Sequence, residues 1–264
     1  MTVDLPGYAS QTFAAEGMEH LVYRAGAGPA VIVMEELPGI TPRVLGFAGR
    51  VVDLGCTVWI PQFFGTPGRR PELGAFATVT PAVCINREFT AFATGRTPPV
   101  TRWLRALAAH AHDECGGPGV GAVGMCFTGG FALGMMVDER MLAPVLSQPS
   151  LPIVLDAKRR RGLPISEEDL ETVRARTEDG ACVLGLRFTG DRLCPPERFE
   201  SLREALGDAF IGVEIDSSSG NPWGIRSLAH SVLTEDLDSS DPEHPTAVAL
   251  AQVLDFFRTR LQLP

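Results

Sequence analysis

An apolar run that stops at a cysteine organises this chain: Gly119-Val-Gly-Ala-Val-Gly-Met-Cys126-Phe-Thr-Gly-Gly130. The run predicts a buried strand over residues 119–125, a sharp turn with Cys126 at its apex and a helix over residues 127–138. Side chains would collide where the strand and the helix pass close together. The chain has glycines at those points, Gly124, Gly129 and Gly130.

The turn at Cys126 resembles a nucleophile elbow, usually written G-x-S-x-G, with cysteine in the place of serine. An elbow puts the sulfur at a helix N-terminus, where unpaired backbone N–H groups and the helix dipole favour thiolate over thiol. An isolated free cysteine is more often a small core residue. The strand-turn-helix context favours a nucleophile here.

Composition limits the class of protein. With 264 residues, 45% of them hydrophobic, the chain can bury a full core, and we expect one domain over residues 1–264. The formal net charge of -9 argues against nucleic acid or an anionic membrane as partner. The sequence has no signal-peptide pattern and no apolar run long enough to span a membrane. We therefore expect a cytoplasmic protein, either a monomer or a small homo-oligomer.

The cysteines and histidines predict no disulfide framework, metal or cofactor. The six cysteines are scattered without a CxxC pair: Cys56, Cys84, Cys115, Cys126, Cys182 and Cys194. His110 and His112 lie two apart in a predicted helix, so they point in different directions and are poor joint metal ligands.

Strand and helix patterns alternate along the chain. Two short strands are predicted over residues 11–24, with a turn between them at Glu16-Gly17. Further strands are predicted over residues 30–34, 56–60, 182–188 and 209–215. Helices are predicted over residues 42–54, 101–115, 196–206 and 245–261. This alternation predicts an α/β fold with a mostly parallel, doubly wound sheet flanked by helices. Its chemistry belongs at the carboxyl ends of the strands.

Two segments interrupt this alternation. Residues 63–81 are rich in Gly and Pro and are predicted to form a surface loop. Residues 151–180 look like an insertion beside the site that would help to set specificity. Within it, residues 151–155 are a candidate strand, and Ser166 is the predicted cap of a helix.

Three residues with catalytic potential follow predicted strands near their carboxyl ends. Cys126, Asp191 and His230 occur in the order nucleophile, acid, histidine, which is the chain order of the α/β-hydrolase fold. An imidazole can take a proton from a thiol, while a carboxylate on its other nitrogen fixes the tautomer. Taken singly, Asp191 is better explained as a helix cap or loop acid, and His230 as a surface or core histidine. Their order and positions favour a triad.

Glu36 directly follows the buried strand over residues 30–34, where an acid is costly unless it is exposed or paired. If this strand end adjoins the elbow, Glu36 can accept a hydrogen bond from the Cys126 thiol or act as its base. The alternative is an exposed loop carboxylate, which is what we expect of Glu35. The backbone N–H groups of Leu37 and Phe127 could then form an oxyanion hole, each worth about 3 kcal/mol in the reaction barrier.

In the segments that contain these residues, the sequence resembles the dienelactone hydrolase family. The matching pieces are Val31-Ile-Val-Met-Glu-Glu36-Leu-Pro-Gly39, Gly124-Met-Cys126-Phe-Thr-Gly-Gly130, Gly190-Asp191 and Ala229-His230-Ser231. The resemblance implies a Cys-His-Asp hydrolase in which Glu36 switches the thiol between a resting and an activated state. It also implies an acyl-enzyme on Cys126, hydrolysed by water that His230 activates.

The chain departs from the family pattern in two places. Thr128 replaces the glycine usual two places after the nucleophile, where it could tighten the turn or offer a hydroxyl to the substrate. In the dienelactone-cleaving members an arginine shortly after the histidine helps to hold the substrate carboxylate, whereas this chain continues Ser231-Val-Leu-Thr-Glu-Asp236. Arg87 could supply a substrate-facing cation instead, although a surface ion pair explains it equally well.

These observations predict an enzyme that hydrolyses a small ester or lactone. A thioesterase or acyl transferase with the same triad is the closest alternative, because the acyl-enzyme is shared and only the acceptor differs. An alternative of another class is a non-catalytic binding or sensor protein with a reactive thiol at Cys126.

Overall fold

The strands of this protein form one sheet. The computed structural model describes residues 3–70, 87–89, 95–151 and 156–264. The strands in these ranges are β1 Ala9–Ala15, β2 Met18–Gly26, β3 Ala30–Met34, β4 Thr57–Pro61, β5 Val120–Met125, β6 Met141–Ser147, β7 Val183–Phe188 and β8 Phe210–Ile215. The helices are α1 Pro42–Asp53, α2 Pro99–Cys115, α3 Phe131–Met135, α4 Ala157–Arg161, α5 Glu167–Glu178, α6 Pro196–Leu206 and α7 Pro245–Arg260. Short 3-10 turns cover Cys126–Gly130 and Gly207–Ala209.

The sheet is mostly parallel, with the strand order β1-β2-β4-β3-β5-β6-β7-β8. The pairs β1–β2 and β2–β4 are antiparallel, and every pair from β4 to β8 is parallel. Strands β3, β4, β5 and β7 are buried at every residue, as expected of parallel strands covered by helices on both faces. The predicted fold class is therefore confirmed.

Apolar side chains cover both faces of the sheet. Val58 and Trp59 of β4 belong to opposite clusters, because successive strand residues point to opposite faces. One cluster includes Trp103 of α2 and Phe131 of α3, and the other includes Val44 of α1. Each helix layer thus packs on its own face of the strands.

The strand register brings three chain segments together at one edge of the sheet. Met34 of β3 lies opposite Gly124 of β5, and Met125 of β5 lies opposite Ser147 of β6. Parallel strands end at the same edge, so the residues that follow β3, β5 and β6 become neighbours. The end of β3 therefore does adjoin the turn after β5.

Most predicted elements are confirmed within a few residues of their predicted ends. Glu16 and Gly17 have φ values of 52° and 74°, the positive values that a tight turn between β1 and β2 requires. Ser166 caps α5 by accepting a hydrogen bond from Asp169 N at 3.2 Å, as predicted.

One prediction around the central stretch is wrong, and one strand there was missed. The helix over residues 127–138 is replaced by the 3-10 turn and the five-residue helix α3, because the chain must turn again to enter β6 at Met141. Strand β6 was not predicted. Its central Pro144 has no N–H for the ladder, and a proline within a run normally argues against an inner strand.

Some predictions lie outside the described residues. They are the part of the predicted surface loop from residue 71 to 81, residues 152–155 of the candidate strand, and Cys84. Across the described ranges, no helix has both the length and the apolar character that crossing a membrane requires.

Candidate active site

Cys126 occupies a strained turn at the carboxyl end of β5. Its φ is 55°, a left-handed value that residues other than glycine rarely adopt outside functional sites. A Cβ on Gly124 would come within 2.2 Å of the Thr128 carbonyl oxygen, so this approach requires glycine. Cys126 itself is 8% exposed. The turn has the shape that the sequence predicted.

The glycines after Cys126 allow the turn to pack closely against its neighbours. A Cβ on Gly129 would lie 2.7 Å from the Cα of Pro149, and a Cβ on Gly130 would lie 2.3 Å from Cγ of Pro164. Pro149 follows β6, and Pro164 belongs to the segment predicted as an insertion. The elbow is therefore held on one side by β6 and on the other by that segment.

Thr128 fastens the elbow to β3 through its side-chain hydroxyl. The residue is fully buried, and its hydroxyl accepts a hydrogen bond from Met125 N at 3.0 Å. The carbonyl oxygens of Met34, Glu35 and Met125 lie 3.0–3.1 Å from the same hydroxyl, which donates its one proton among them. The Thr128 hydroxyl is thus bonded to the backbone, as expected of a residue that tightens the turn, and its contact with substrate stays a prediction.

We expect Thr128→Val to destabilise the protein by about 1–3 kcal/mol, because it leaves the buried Met125 N–H without its acceptor. The free energy of unfolding from urea denaturation measures this effect. Thr128→Ser keeps the hydroxyl and is the control, with an expected loss below about 1 kcal/mol. Equal stability of the valine variant and wild type would contradict the assigned role.

Asp191 and His230 form a direct pair. His230 Nδ1 lies 2.7 Å from Asp191 Oδ2. The other carboxylate oxygen, Oδ1, accepts hydrogen bonds from Leu193 N at 2.8 Å and from Cys194 N at 3.2 Å. Asp191 is buried, and these hydrogen bonds fix the positions of both its oxygens. The carboxylate therefore favours the tautomer with a proton on Nδ1, which leaves Nε2 to exchange protons.

Cys126 acts on the same imidazole. Burial tends to lower the pKa of His230, but the negative charge of Cys126 and the hydrogen bond with Asp191 hold that pKa well above its ordinary value. Nε2 is buried and has no hydrogen-bond partner of normal geometry among the described residues. A histidine in this position is a candidate base for the cysteine thiol.

Glu36 is buried in a set of hydrogen-bond donors. Ser231 Oγ and Gln148 Nε2 donate to its Oε2 at 2.8 Å and 3.2 Å, and Thr234 Oγ1 donates to its Oε1. Burial raises the pKa of Glu36, and the hydrogen bonds from Thr234 and Ser231 offset this only in part. We expected the Cys126 thiol to donate a hydrogen bond to Glu36. Among the described residues, Cys126 is not one of the hydrogen-bond partners of Glu36.

Glu35 is buried, so the expectation of an exposed loop carboxylate is wrong. The first residues after β4 reach back to it: Phe63 N and Phe64 N donate to Oε1 at 2.7 Å and 3.0 Å. Oε2 is buried without a hydrogen-bond partner in the described ranges. Burial raises the pKa of Glu35 to about 8, against an ordinary value of 4.5.

The raised pKa of Glu35 makes stability fall with pH. Between the unfolded-state and folded-state pKa values the unfolded chain has lost the proton that the folded chain keeps, so unfolding becomes easier as pH rises. Glu35→Gln mimics the protonated acid and removes this effect. We expect the variant to gain about 4 kcal/mol relative to wild type between about pH 5 and pH 9. Denaturation curves at both pH values test this, and parallel behaviour of the two proteins would refute it.

The residues proposed for the oxyanion hole and for substrate binding are placed as follows. Phe127 is the second residue of the 3-10 turn, and its ring packs against Phe89 with centroids 5.7 Å apart. Leu37 follows Glu36, and the peptide bond from Leu37 to Pro38 is cis. Among the described residues, the N–H of Leu37 has no hydrogen-bond acceptor. Arg87 is exposed, two residues before Phe89, and makes no ion pair with another described residue.

Two residues beside the candidate site were not predicted from the sequence. Asp236 Oδ2 accepts hydrogen bonds from His230 N at 2.8 Å and Ser231 N at 3.1 Å, which fixes the backbone of the histidine loop. Gln148 contacts Glu36 from the end of the unpredicted strand β6. Gln148 was missed because Pro144 within β6 argues against a strand there. No sequence pattern marks Asp236.

The described residues show neither a metal site nor a disulfide. No group of three His, Cys, Asp or Glu side chains in them could hold a metal ion. Their cysteines are free thiols: Cys56, Cys115, Cys126, Cys182 and Cys194.

Solved structures with the same fold include several hydrolases. A Klebsiella pneumoniae protein classed with the dienelactone hydrolases is 16% identical, with a TM-score of 0.60, covering 97% of this chain and 98% of the other. The protein m3DLH is 18% identical, with a TM-score of 0.61 and coverage of 94% and 97%. A thioesterase domain from the curacin biosynthetic pathway is 11% identical, with a TM-score of 0.54 and coverage of 94% and 99%. At these identities the likeness concerns the fold alone.

No curated protein matches the sequence significantly. The model of the dienelactone hydrolase family, however, matches residues 19–261. This range begins in β2 and extends just beyond α7, so it takes in every parallel strand and the whole candidate site. The chain therefore belongs to the dienelactone hydrolase family, and the protein is a hydrolase of the α/β-hydrolase type.

Proposed function

We propose that the protein hydrolyses a small ester or lactone through a Cys126-His230-Asp191 triad, with Glu36 controlling the thiol. The observation that carries this proposal is the hydrogen-bonded Asp191–His230 pair, whose imidazole responds to the charge of a cysteine in a left-handed turn. These are the groups that a covalent acyl-transfer mechanism needs.

In the first half of the proposed reaction, the Cys126 thiolate attacks the carbonyl carbon, and the C–S bond forms as the carbonyl oxygen becomes negative. The N–H groups of Leu37 and Phe127 stabilise that oxyanion. The intermediate then collapses: the bond to the leaving oxygen breaks, and His230 gives that oxygen a proton. An acyl-cysteine remains.

In the second half, His230 takes a proton from water, and the resulting hydroxide attacks the acyl carbon. The new C–O bond forms and the C–S bond breaks, which releases the acid and restores the thiolate beside the imidazolium. Glu36 contributes before this cycle begins. Because burial raises its pKa, it accepts the proton of the Cys126 thiol more readily than an exposed glutamate would. Passing that proton on to His230 gives the imidazolium that the first step uses and returns Glu36 to its carboxylate form.

The substrate that we propose is a small ester or lactone. The loop after His230 offers Thr234 to Glu36, and the segment 231–236 supplies no cation for a substrate carboxylate. Arg87 remains the proposed substrate-facing cation. No cofactor is needed for these steps, and we propose a single-domain cytoplasmic enzyme, monomeric or a small homo-oligomer.

The proposal is tested by a time course with p-nitrophenyl acetate, a small unsaturated lactone and a matched thioester, followed by mass spectrometry of the quenched enzyme. Continued turnover with one acyl group on Cys126 supports the hydrolase. Preference for the thioester identifies a thioesterase, and stoichiometric acylation without turnover supports a thiol-reactive binding protein.

A further inference from the structure

Gln148 has an unusual place in the fold. It is the first residue after β6 and is fully buried, and its φ of 35° lies in the left-handed region. A residue other than glycine persists in this conformation when its surroundings over-determine it, and such residues cluster at functional sites. No step of the proposed reaction uses Gln148.

The backbone around Gln148 joins β7 to the elbow. Gln148 N donates to Leu186 O at 2.7 Å, and the Gln148 carbonyl oxygen accepts from Ser150 Oγ at 2.8 Å. Ser150 N in turn donates to the carbonyl oxygen of Cys126 at 2.9 Å. These bonds hold the side chain of Gln148 at a fixed position relative to the nucleophile.

The side chain of Gln148 joins two other parts of the site. Its Oε1 accepts hydrogen bonds from Ser147 Oγ and, at 3.4 Å, from Val232 N, two residues after His230. Its Nε2 donates to Glu36 Oε2 at 3.2 Å. Because a backbone N–H must face the amide oxygen, the amide nitrogen must face the carboxyl group.

We propose that Gln148 is a positioning residue that couples the Glu36 carboxyl to the histidine loop and sets the pH at which Glu36 exchanges its proton. The inference rests on the proposed function, in which Glu36 controls the thiol. Gln148, Ser231 and Thr234 together give the carboxyl group a defined resting place. The charged groups that act on it there are His230, which lowers its pKa, and Glu235, which raises it.

The main test is Gln148→Glu, which replaces the N–H donor with a second carboxyl group at the same distance. Two adjoining carboxyl groups share a proton, so proton loss from the pair moves to higher pH. We expect the pH profile of Cys126 alkylation by iodoacetamide to move upward by about one pH unit. We expect kcat/KM for ester hydrolysis to fall about tenfold.

The chain supplies a matched control in Gln262, an exposed glutamine that also has a positive φ, 53°. Gln262→Glu should leave the alkylation profile and kcat/KM within about twofold of wild type. Gln148→Gly removes the side chain and also relieves the strain of the positive φ, because glycine adopts such values freely. Gln262→Gly is its control. Gln148→Gly should still lower kcat/KM about tenfold, which separates the amide contacts from strain.

A folded Gln148→Glu variant with the wild-type alkylation profile overturns the proposal, even if its activity is lower, because a purely structural role would leave the profile in place. If Gln148→Glu does not fold, an unchanged kcat/KM in Gln148→Gly overturns it equally. Failure of the hydrolase function gives a different result. In that case wild type is alkylated at Cys126 but turns over no ester, while the shifted profile of Gln148→Glu still supports the coupling.

Discussion

Cys126→Ala is expected to abolish ester turnover, with a loss of at least about 10⁴-fold in kcat. The members of the proposed triad would act as a unit, so His230 and Asp191 would have nothing to activate once the sulfur is gone. Alanine also retains the backbone with little change in volume, so the fold should persist. The measurement is the steady-state rate with p-nitrophenyl acetate, together with a search for the acyl-enzyme by mass spectrometry.

Cys182→Ala is the matched control for this prediction. Cys182 is a half-buried free thiol that precedes β7, at the sheet edge opposite the site, and its removal should leave the rate unchanged. Undiminished activity of Cys126→Ala would eliminate the covalent mechanism. Cys126→Ser should also be severely impaired, because a hydroxyl is far less acidic than the thiol that Glu36 is proposed to activate. Near-normal rates in the serine variant would remove the thiol switch.

Asp191→Asn is expected to lower kcat by about 10⁴-fold while leaving the fold intact. The reason lies in the hydrogen bonds of the carboxylate. Leu193 N and Cys194 N both donate to Oδ1, so an asparagine at this position would keep its oxygen there and turn its NH₂ group towards His230. Nδ1 of the imidazole would then have to accept, which leaves the proton on Nε2. A ring protonated on that nitrogen cannot take a proton from the thiol or from water.

The control for Asp191→Asn is Asp236→Asn. Asp236 holds the backbone N–H groups of His230 and Ser231 and does not touch the imidazole. Its replacement should cost far less than the change at Asp191, on the order of tenfold, by loosening the loop without changing the tautomer. Equal losses in the two variants would mean that Asp191 only supports the loop. A pH profile that is unchanged in Asp191→Asn would lead to the same conclusion.

Local features of the sequence were enough for the fold class, for seven of the eight described strands and for the order of the proposed triad. Short apolar runs rich in β-branched residues, such as Val31-Ile-Val-Met34, favour buried strands, and the helices between them favour parallel crossovers. The glycines around Cys126 are steric requirements of close backbone approach, visible without coordinates. Position at a strand end then gathers Cys126, Asp191 and His230 at one edge of the sheet.

Burial and hydrogen-bond partners were decided by the tertiary structure alone. Glu35 and Glu36 are adjacent in sequence, yet one is held by amides after β4 and the other by hydroxyls as far as 198 residues away. The hydrogen bond from the Thr128 hydroxyl to the carbonyl oxygen of Met34 in β3 could not be predicted for the same reason.

The sequence by itself determined the fold class, the elbow and the chain order of nucleophile, acid and histidine, because these depend on periodicity and on steric demands between near neighbours. The tertiary structure decided that β6 exists despite Pro144, that Glu35 is buried, and that Glu36 rests among Gln148, Ser231 and Thr234. These facts depend on contacts between residues far apart in the chain. No local pattern encodes the partner that a polar side chain will meet once it is buried.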